Sequence, residues 1–380
     1  MGFPGFVPGW VWLVAAGVGA VVSWSLGRRG ARRRPAAPVQ RSGKLRELTE
    51  SGQWAEAETL ARGIISTLTM TRGPEHSETL LFRVFAAAAA FEAGRLVEAE
   101  RELETVLADC VTGLTERDTA TISARVAMTG VLTTMGCHAV ADRHAELVLQ
   151  HSDPASTAQQ GLACAARQLR AHIRAELGDT GAAEAQLRAL IDECTERSGA
   201  LASFTLRSRC SLAGLLVDSG RAEEAIAILT EIAGHTGSSH SLRMSVHRRL
   251  GDAFVEAGRP AEAEREFQAV LAADTTRVRL LGCRFGLARV AAGRGLLEEA
   301  TRRHEEVLAQ YRDLLGEDHR HTLRSRFELA DLLARQGRAA ESVAAHRAVL
   351  YARTRVLGAE HPDTARSRAA LAEAERAATD

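Results

Sequence analysis

Residues 316–323, GEDHRHTL, begin a unit that starts again at residues 358–364, GAEHPDT. The segment GRAAES at residues 337–342 lies between the two copies, with an apolar-periodic run on each side of it. His319 and His361 occupy the same place in the two copies, 42 residues apart. A fixed period between about 20 and 50 residues is typical of arrays of stacked supersecondary units. The period therefore predicts a repeat protein rather than one globular core.

A turn of the form Gly-x-x-x-Glu-Ala, or a relaxed version of it, recurs along the rest of the chain. Successive turn glycines are separated by 42, 42, 42, 42, 38, 37 and 42 residues. Glycine favours the left-handed conformation that ends a helix, and Pro260 lies where a first helical turn tolerates proline. Each turn is therefore predicted to join two helices. The turn glycines are Gly52, Gly94, Gly136, Gly178, Gly220, Gly258, Gly295 and Gly337.

The helix before each turn has its own pattern, counted from the position of His319. Apolar or small residues recur four, eight and eleven places later, a spacing that puts them on one face of an α-helix. The small residue at the third place allows neighbouring helices to approach closely, so a stack of helical hairpins is predicted. The sets are Leu323, Phe327 and Ala330; Leu281, Phe285 and Ala288; Leu206, Cys210 and Ala213; Ala365, Ala369 and Ala372.

These motifs resemble tetratricopeptide repeats (TPRs) of the kinesin-light-chain-like, 42-residue type, which is often found in bacterial signalling proteins. The match is most specific in the last two copies, where His304 and His346 also lie 42 residues apart inside the second helix. The resemblance covers about residues 41–380. It implies a bacterial protein with an all-α fold, a right-handed α-solenoid of about eight helix pairs whose first helices line a concave surface.

Composition excludes some partners and suggests a compartment. The formal net charge is +0, so no chain-wide basic field attracts nucleic acid, and no nucleic-acid partner is expected. The six cysteines form no CxxC pair, which favours free, buried thiols in a reducing compartment. They are Cys110, Cys137, Cys164, Cys194, Cys210 and Cys283.

The N-terminal segment is not a repeat. Residues 10–26, WVWLVAAGVGAVVSWSL, carry no charge, and five arginines follow within residues 28–34. With an extension towards Phe3, the segment reaches the roughly 30 Å of a bilayer core at about 1.5 Å per residue. Positive charge after the apolar run places the repeats in the cytoplasm. The alternatives are a buried or peripheral N-terminal helix and a processed signal peptide.

The expected organisation therefore has three parts. Residues 1–27 form a single-pass anchor in the cell membrane, and residues 28–43 form a basic, proline-containing linker. Residues 44–380 form a cytoplasmic TPR solenoid that ends in a capping helix.

Signatures of catalysis are missing from the sequence. A Walker phosphate-binding loop needs Gly-Lys followed by Ser or Thr, yet the only lysine, Lys44, is followed by leucine. No HExxH, GxSxG or GxGxxG motif stands in a suitable context. His319 and His321 have no Cys or carboxylate partner at metal-site spacing, so the ring of His319 is predicted to cap or pack the helix start. We expect no enzyme activity, no catalytic residue, no cofactor and no metal.

An arginine recurs seven places after each histidine position, with His247 as the one exception. It lies about 20 to 60 degrees from the apolar face on a helical wheel, so its guanidinium can reach outward. In TPR proteins this helix borders the concave groove, so the resemblance implies cations that hold acidic side chains or the C-terminal carboxylate of a peptide. The alternative is pairing with a glutamate of the neighbouring repeat. This arginine ladder consists of Arg83, Arg125, Arg167, Arg209, Arg284, Arg326 and Arg368.

The function predicted from these observations is a membrane-anchored cytoplasmic scaffold that binds a protein or peptide, with acidic segments among the candidate ligands. The alternative is a regulatory sensor whose array binds a small peptide or effector and changes superhelical pitch. The sequence carries no signal for the oligomeric state.

Overall fold

A computed structural model describes residues 44, 45, 47–49, 51–237, 239–274 and 276–378. Within these residues the chain forms sixteen bounded α-helices and no strand, and residues 44, 45 and 47–49 are helical as well. The helices are α1 Trp54–Arg72, α2 Ser77–Glu92, α3 Leu96–Gly113, α4 Thr119–Thr134, α5 His138–His151, α6 Thr157–Glu176, α7 Thr180–Ser198, α8 Ser203–Asp218, α9 Ala222–Ala233, α10 His240–Glu256, α11 Pro260–Ala273, α12 Arg277–Gly293, α13 Leu297–Leu315, α14 Arg320–Arg335, α15 Ala339–Leu357 and α16 Pro362–Ala377.

The helices alternate between two layers. Each even-numbered helix packs against the odd-numbered helix that follows it, and consecutive even-numbered helices touch one another along much of the array. We call the even-numbered helices inner and the odd-numbered helices outer. The stack of helical hairpins predicted from the repeat is confirmed.

The turns between inner and outer helices follow the sequence pattern. All eight turn glycines have positive φ, between 69° and 93°. At Gly94 the turn is a Schellman motif, in which Arg95 N donates to Ala90 O at 2.9 Å and Gly94 N donates to Phe91 O at 2.8 Å. A residue with a Cβ is strained in this left-handed conformation, which explains why glycine recurs here.

The predicted apolar face of the inner helices packs against the outer helix of the same pair. Leu323, Phe327 and Ala330 are buried, and Ser342 Oγ of α15 donates to Ala330 O at 2.9 Å. The sets in α8 and α12 are buried in the same way. Burial of each large apolar side chain stabilises the fold by about 1.5–3 kcal/mol.

The same face is exposed in α16. Ala365, Ala369 and Ala372 are all exposed. In every complete pair this face is covered by the outer helix that follows, and α16 is the last helix among the described residues. The capping helix is held from the other side, where Arg353 NH1 of α15 donates to Ser367 Oγ at 2.9 Å.

The repeated histidines of the outer helices are core residues. His304 and His346 are 1% and 2% exposed, and their rings meet Phe285 and Phe327 edge-on with centroids 5.1 and 5.2 Å apart. Edge-to-face contacts of this kind add roughly 0.5–1.5 kcal/mol beyond area burial. The 42-residue spacing of these histidines therefore reports packing rather than ligand binding.

The cysteines are free, as predicted, and five of the six are buried. Cys137 is exposed, contrary to the prediction, because it directly follows the turn at Gly136 and precedes the first residue of α5. Cys164 and Cys194 face each other across α6 and α7 with their Sγ atoms 3.7 Å apart.

The predicted membrane anchor and linker, residues 1–43, lie outside the described residues. Among the helices that the structure describes, none is both long and apolar enough to cross a bilayer.

Close packing between α10, α11 and α12 generates a stability prediction. A Cβ added at Gly286 would lie 2.2 Å from Phe267 Cζ, whereas one added at Gly63 in α1 would meet no atom within 4 Å. We expect Gly286→Ala to lower the unfolding free energy by about 1–3 kcal/mol through overpacking. Gly63→Ala is the matched control and should raise it by about 0.5–1 kcal/mol. Urea denaturation followed by circular dichroism measures both, and equal effects would contradict the packing described.

Candidate functional site

The arginine ladder runs along the inner helices with uneven exposure, from the buried Arg125 to the exposed Arg284, and its first four members have carboxylate partners. Arg83 donates to Glu102 at 2.7 Å and to Asp109 at 2.6 Å, both on the outer helix of its own pair. Arg167 and Arg209 do the same with Glu193 and Glu231, and Arg125 pairs with Glu116 in the loop before its helix. The partners lie within the same repeat, not in the neighbouring repeat as the structural alternative supposed.

The remaining ladder positions are less completely neutralised. Arg326 NH2 lies 3.4 Å from Glu317, while Arg368 donates only to the carbonyl of Ala359 at 3.2 Å. Arg284 donates to the neutral amide of Gln310 at 2.8 Å, and no carboxylate among the described residues forms an ion pair with it. Positive charge is therefore least compensated at the C-terminal end of the ladder.

Arg284 also lines an open cleft between α12 and α13. The cleft has a volume of about 270 Å³, and Leu287 and Val307 form its apolar part. Arg302 and Arg303 are the other cations of its wall, each paired with a glutamate of its own helix. The cleft thus combines the guanidinium of Arg284, which forms no ion pair with a described carboxylate, with an apolar surface. This combination is suited to an acidic peptide segment.

A second candidate site lies where the superhelix returns to itself. His319 precedes α14, and its Nδ1 accepts a hydrogen bond from His321 N at 3.2 Å. Its Nε2 donates to Thr134 O at 2.6 Å, although Thr134 is 185 residues earlier and ends α4. One ring therefore satisfies an N–H group at the start of one inner helix and a C=O group at the end of another. The prediction that this ring caps its helix is confirmed.

The same contact recurs at regular intervals. His361 Nε2 donates to Glu176 O at 2.9 Å, again 185 residues earlier, and Thr276 Oγ1 donates to Glu92 Oε2 at 3.2 Å, 184 residues earlier. In each case the start of an inner helix meets the end of the inner helix five before it. We call this line of contacts the seam. It joins successive turns of the superhelix.

The seam histidines are neutral at physiological pH. Burial lowers the pKa of His319 to about 4, and burial also lowers the pKa of His361 below its usual value. The neutral ring with its proton on Nε2 is the form that accepts at Nδ1 and donates at Nε2. Protonation in acid removes the acceptor and therefore breaks the helix cap.

Buried carboxylates at the seam were missed in the sequence analysis. Glu92 and Glu176 each end an inner helix, where the helix dipole disfavours negative charge, and both are at least 95% buried. Arg320, which comes from one superhelical turn later, pairs with Glu176, and Arg279, which pairs with Asp274, lies 4.0 Å from Glu92. Burial nevertheless raises the pKa of Glu92 to about 7. One sequence signal could have revealed these residues: each is an acid two residues before a turn glycine. A negative charge at that helix end needs a positive partner from elsewhere in the fold.

The seam also contains a cleft of about 420 Å³. Its walls come from the turns after α4 and α6 on one side and from the loops before α14 and α16 on the other. The apolar part of the wall includes Met135, Leu177, Leu315, Val356 and Leu357. The polar wall residues differ in burial: His138, Glu176 and Arg320 form the mostly buried inner end, whereas Glu317 and Asp318 are exposed at the mouth. A cleft of this size with a large apolar wall is typical of small-ligand sites.

No group of three or more His, Cys, Asp or Glu side chains within the described ranges is positioned to hold a metal ion. His321, the second histidine singled out in the sequence, stacks on Tyr311 with ring centroids 5.5 Å apart and has a pKa lowered by burial.

A substitution at His319 distinguishes the hydrogen bond across the seam from the hydrogen bond that caps α14. We expect His319→Asn to lower the unfolding free energy by about 1 kcal/mol, because asparagine retains an N-cap acceptor but loses the bond to Thr134. His76→Asn is the matched control, since His76 caps α2 and makes no bond across the seam. Its stability should change by less than about 0.5 kcal/mol.

The same variants test the protonation state. The folded-state pKa of His319 is about 4, below the ordinary value of 6.5, so its contribution to stability is present above about pH 6.5 and is lost as the pH falls towards 4. Urea denaturation at pH 7.5 and pH 5 should show a smaller pH effect in His319→Asn than in the parent chain. Identical pH dependence in both would refute this role.

The repeats match the models of known protein families. Residues 280–350 and 327–380 match the model described as tetratricopeptide repeat, and residues 138–285 match the model described as tetratricopeptide repeat-like domain. The matches together span residues 138–380, which is more than half of the chain, and neither model describes an enzyme. No curated protein sequence matches the chain.

Solved structures are similar to this chain at low sequence identity, and the first of the two described below shares its fold. A Rap protein complexed with competence and sporulation factor is 13% identical, covers 88% of this chain and 96% of its own, and has a TM-score of 0.54. A putative kinesin light chain from Podosopora anserina is 21% identical over 50% of this chain and 93% of its own, with a TM-score of 0.37. The repeat motifs, the helix pairs and the family matches agree, and the chain belongs to the tetratricopeptide repeat family.

Proposed function

We propose that this chain is a non-catalytic TPR module that binds a protein or peptide through an acidic segment docked at Arg284. The observation that supports the proposal is the exposed guanidinium of Arg284, whose hydrogen-bond partner is the neutral Gln310. The first four ladder arginines are held by carboxylates of their own repeat and have less capacity for a partner.

The surroundings of Arg284 favour a carboxylate ligand. The cleft wall contains three arginines and one acid, Glu306, so its formal charge is positive. Arginine binds a carboxylate through two parallel N–H donors, which gives geometric specificity as well as attraction. Leu287 and Val307 extend the contact to an apolar side chain next to the acid. An acidic segment with one neighbouring aliphatic residue therefore matches the cleft.

Substitution at Arg284 tests this site. We expect Arg284→Glu to weaken binding of a fluorescein-labelled hexaglutamate peptide by about tenfold, because a bidentate cation is replaced by a like charge. Fluorescence anisotropy at about 0.05 and 0.15 M salt measures the affinity, and binding should weaken at the higher salt.

Arg101→Glu is the matched control, because Arg101 is an exposed arginine on the outer helix α3. It carries the same change of charge and should alter the affinity by less than about twofold. Equal loss in both variants would indicate a general charge effect, and no binding by the parent chain would refute an acidic ligand. Circular dichroism checks that both variants keep their helices.

We further propose that residues 10–26 anchor the module in the cell membrane with the repeats in the cytoplasm. The support is in the sequence, which has an uncharged stretch followed directly by arginines. Confinement to a membrane raises the effective concentration of a captured partner without any added contact.

Fractionation tests the anchor. The full chain should remain in the membrane pellet after alkaline carbonate extraction, whereas a chain that begins at residue 41 should be released, because it lacks the apolar segment. Leu13→Arg combined with Val21→Arg places two charges inside the segment and should release the full chain as well. Release of the unaltered full chain would refute anchoring.

A further inference from the structure

The apolar wall of the seam cleft is unusually accessible for side chains of its type. Leu177 is 59% exposed and Val356 is 44% exposed, and the two residues come from different turns of the superhelix. Scattered apolar residues are normal on a protein surface, but these two line one concavity with Met135, Leu315 and Leu357. The cleft therefore presents a continuous apolar surface of molecular size.

The charges at the mouth of this cleft are already neutralised. Glu317 is paired with Arg312 and lies 3.4 Å from Arg326, and Asp318 is paired with Arg355. A charged ligand would have to compete with these ion pairs, so the mouth does not select for net charge. In this respect the seam cleft differs from the cleft around Arg284.

Hydrogen-bonding capacity remains at the inner end. His138 Nδ1 is buried and makes no hydrogen bond within the described residues, and His138 Nε2 lies 4.0 Å from Glu176 Oε2, beyond hydrogen-bond distance. Burial also keeps the His138 ring neutral, because it lowers the pKa to about 4. A ligand with an amide group can hydrogen-bond to this imidazole, whereas the Glu176 carboxylate is already paired with Arg320.

We propose that the seam cleft is an effector site for a short, uncharged peptide segment that inserts one or two large apolar side chains. Its volume of about 420 Å³ lies in the range of small-ligand sites and accommodates two such side chains. A backbone amide of the segment meets His138 at the inner end. This site is separate from the arginine cleft and goes beyond the proposed function.

Occupancy of the cleft is linked to the pitch of the superhelix. The wall includes His319 and His361, whose ring nitrogens form the hydrogen bonds that join successive turns. A ligand that contacts both turns binds the closed seam more tightly than an open one, and it stabilises closure by the difference between those two binding free energies. The site can regulate the array by fixing its pitch.

The test uses the full chain and the probe N-acetyl-Leu-Phe-amide, with N-acetyl-Glu-Glu-amide as the charged comparator. We expect saturable binding of the apolar probe, with shifts in the methyl NMR signals of Leu177, Val356 and Met135 and a rise in the melting temperature. The charged comparator should leave these signals unchanged. Each of Leu177→Arg and Val356→Arg should weaken the probe at least tenfold while leaving the melting temperature of the free chain nearly unchanged, because both residues are exposed.

Val111→Arg is the matched control, because Val111 is an exposed valine on α3 at 63% exposure and lies outside the cleft. It should bind the probe like the parent chain. Absence of saturable binding, or equal loss in Val111→Arg, would overturn the effector site. Hexaglutamate binding by Leu177→Arg separates the two proposals: if it is retained while the parent chain ignores the apolar probe, only the effector site fails.

Discussion

The ends of the inner helices set the main constraint on this fold. Each helix leaves unpaired N–H groups at its start and unpaired C=O groups at its end, and these groups need partners when they are buried. The seam brings a start and an end together, and His319 satisfies one group of each kind with its two ring nitrogens. Only the neutral form of the ring can both accept and donate in this way. The two hydrogen bonds of His319 therefore also favour its neutral state.

Buried charges also help to determine which helices meet at the seam. Glu92 and Glu176 stand at helix ends that disfavour anions, and the compensating Arg279 and Arg320 arrive from one turn later in the superhelix. Removing one partner of a buried pair costs about 3–5 kcal/mol, far more than the pair contributes over an apolar replacement. A shift of the seam by one repeat would separate these pairs, so the charges act against alternative registers.

Local features of the fold were predictable from the sequence, and long-range features were not. The turn glycines, the hairpin stack and the capping role of His319 follow from residue chemistry within one 42-residue unit. The seam depends on small packing angles accumulated over five inner helices, which no local pattern encodes. The carboxylate partners of Arg83 were missed for a related reason, since they lie on the outer helix of the pair, beyond the reach of a local pattern.

The bond between His361 and Glu176 changes how such an array responds to stress. In a simple solenoid each repeat touches only its neighbours, so stability is a nearest-neighbour sum and the ends fray first. Here α16 is joined to the end of α6, in the middle of the described array. Unfolding of α16 therefore also breaks a contact of α6, and we expect larger cooperative blocks than in a linear row of repeats. The unfolding of this repeat array thereby gains some of the all-or-none character of a globular domain.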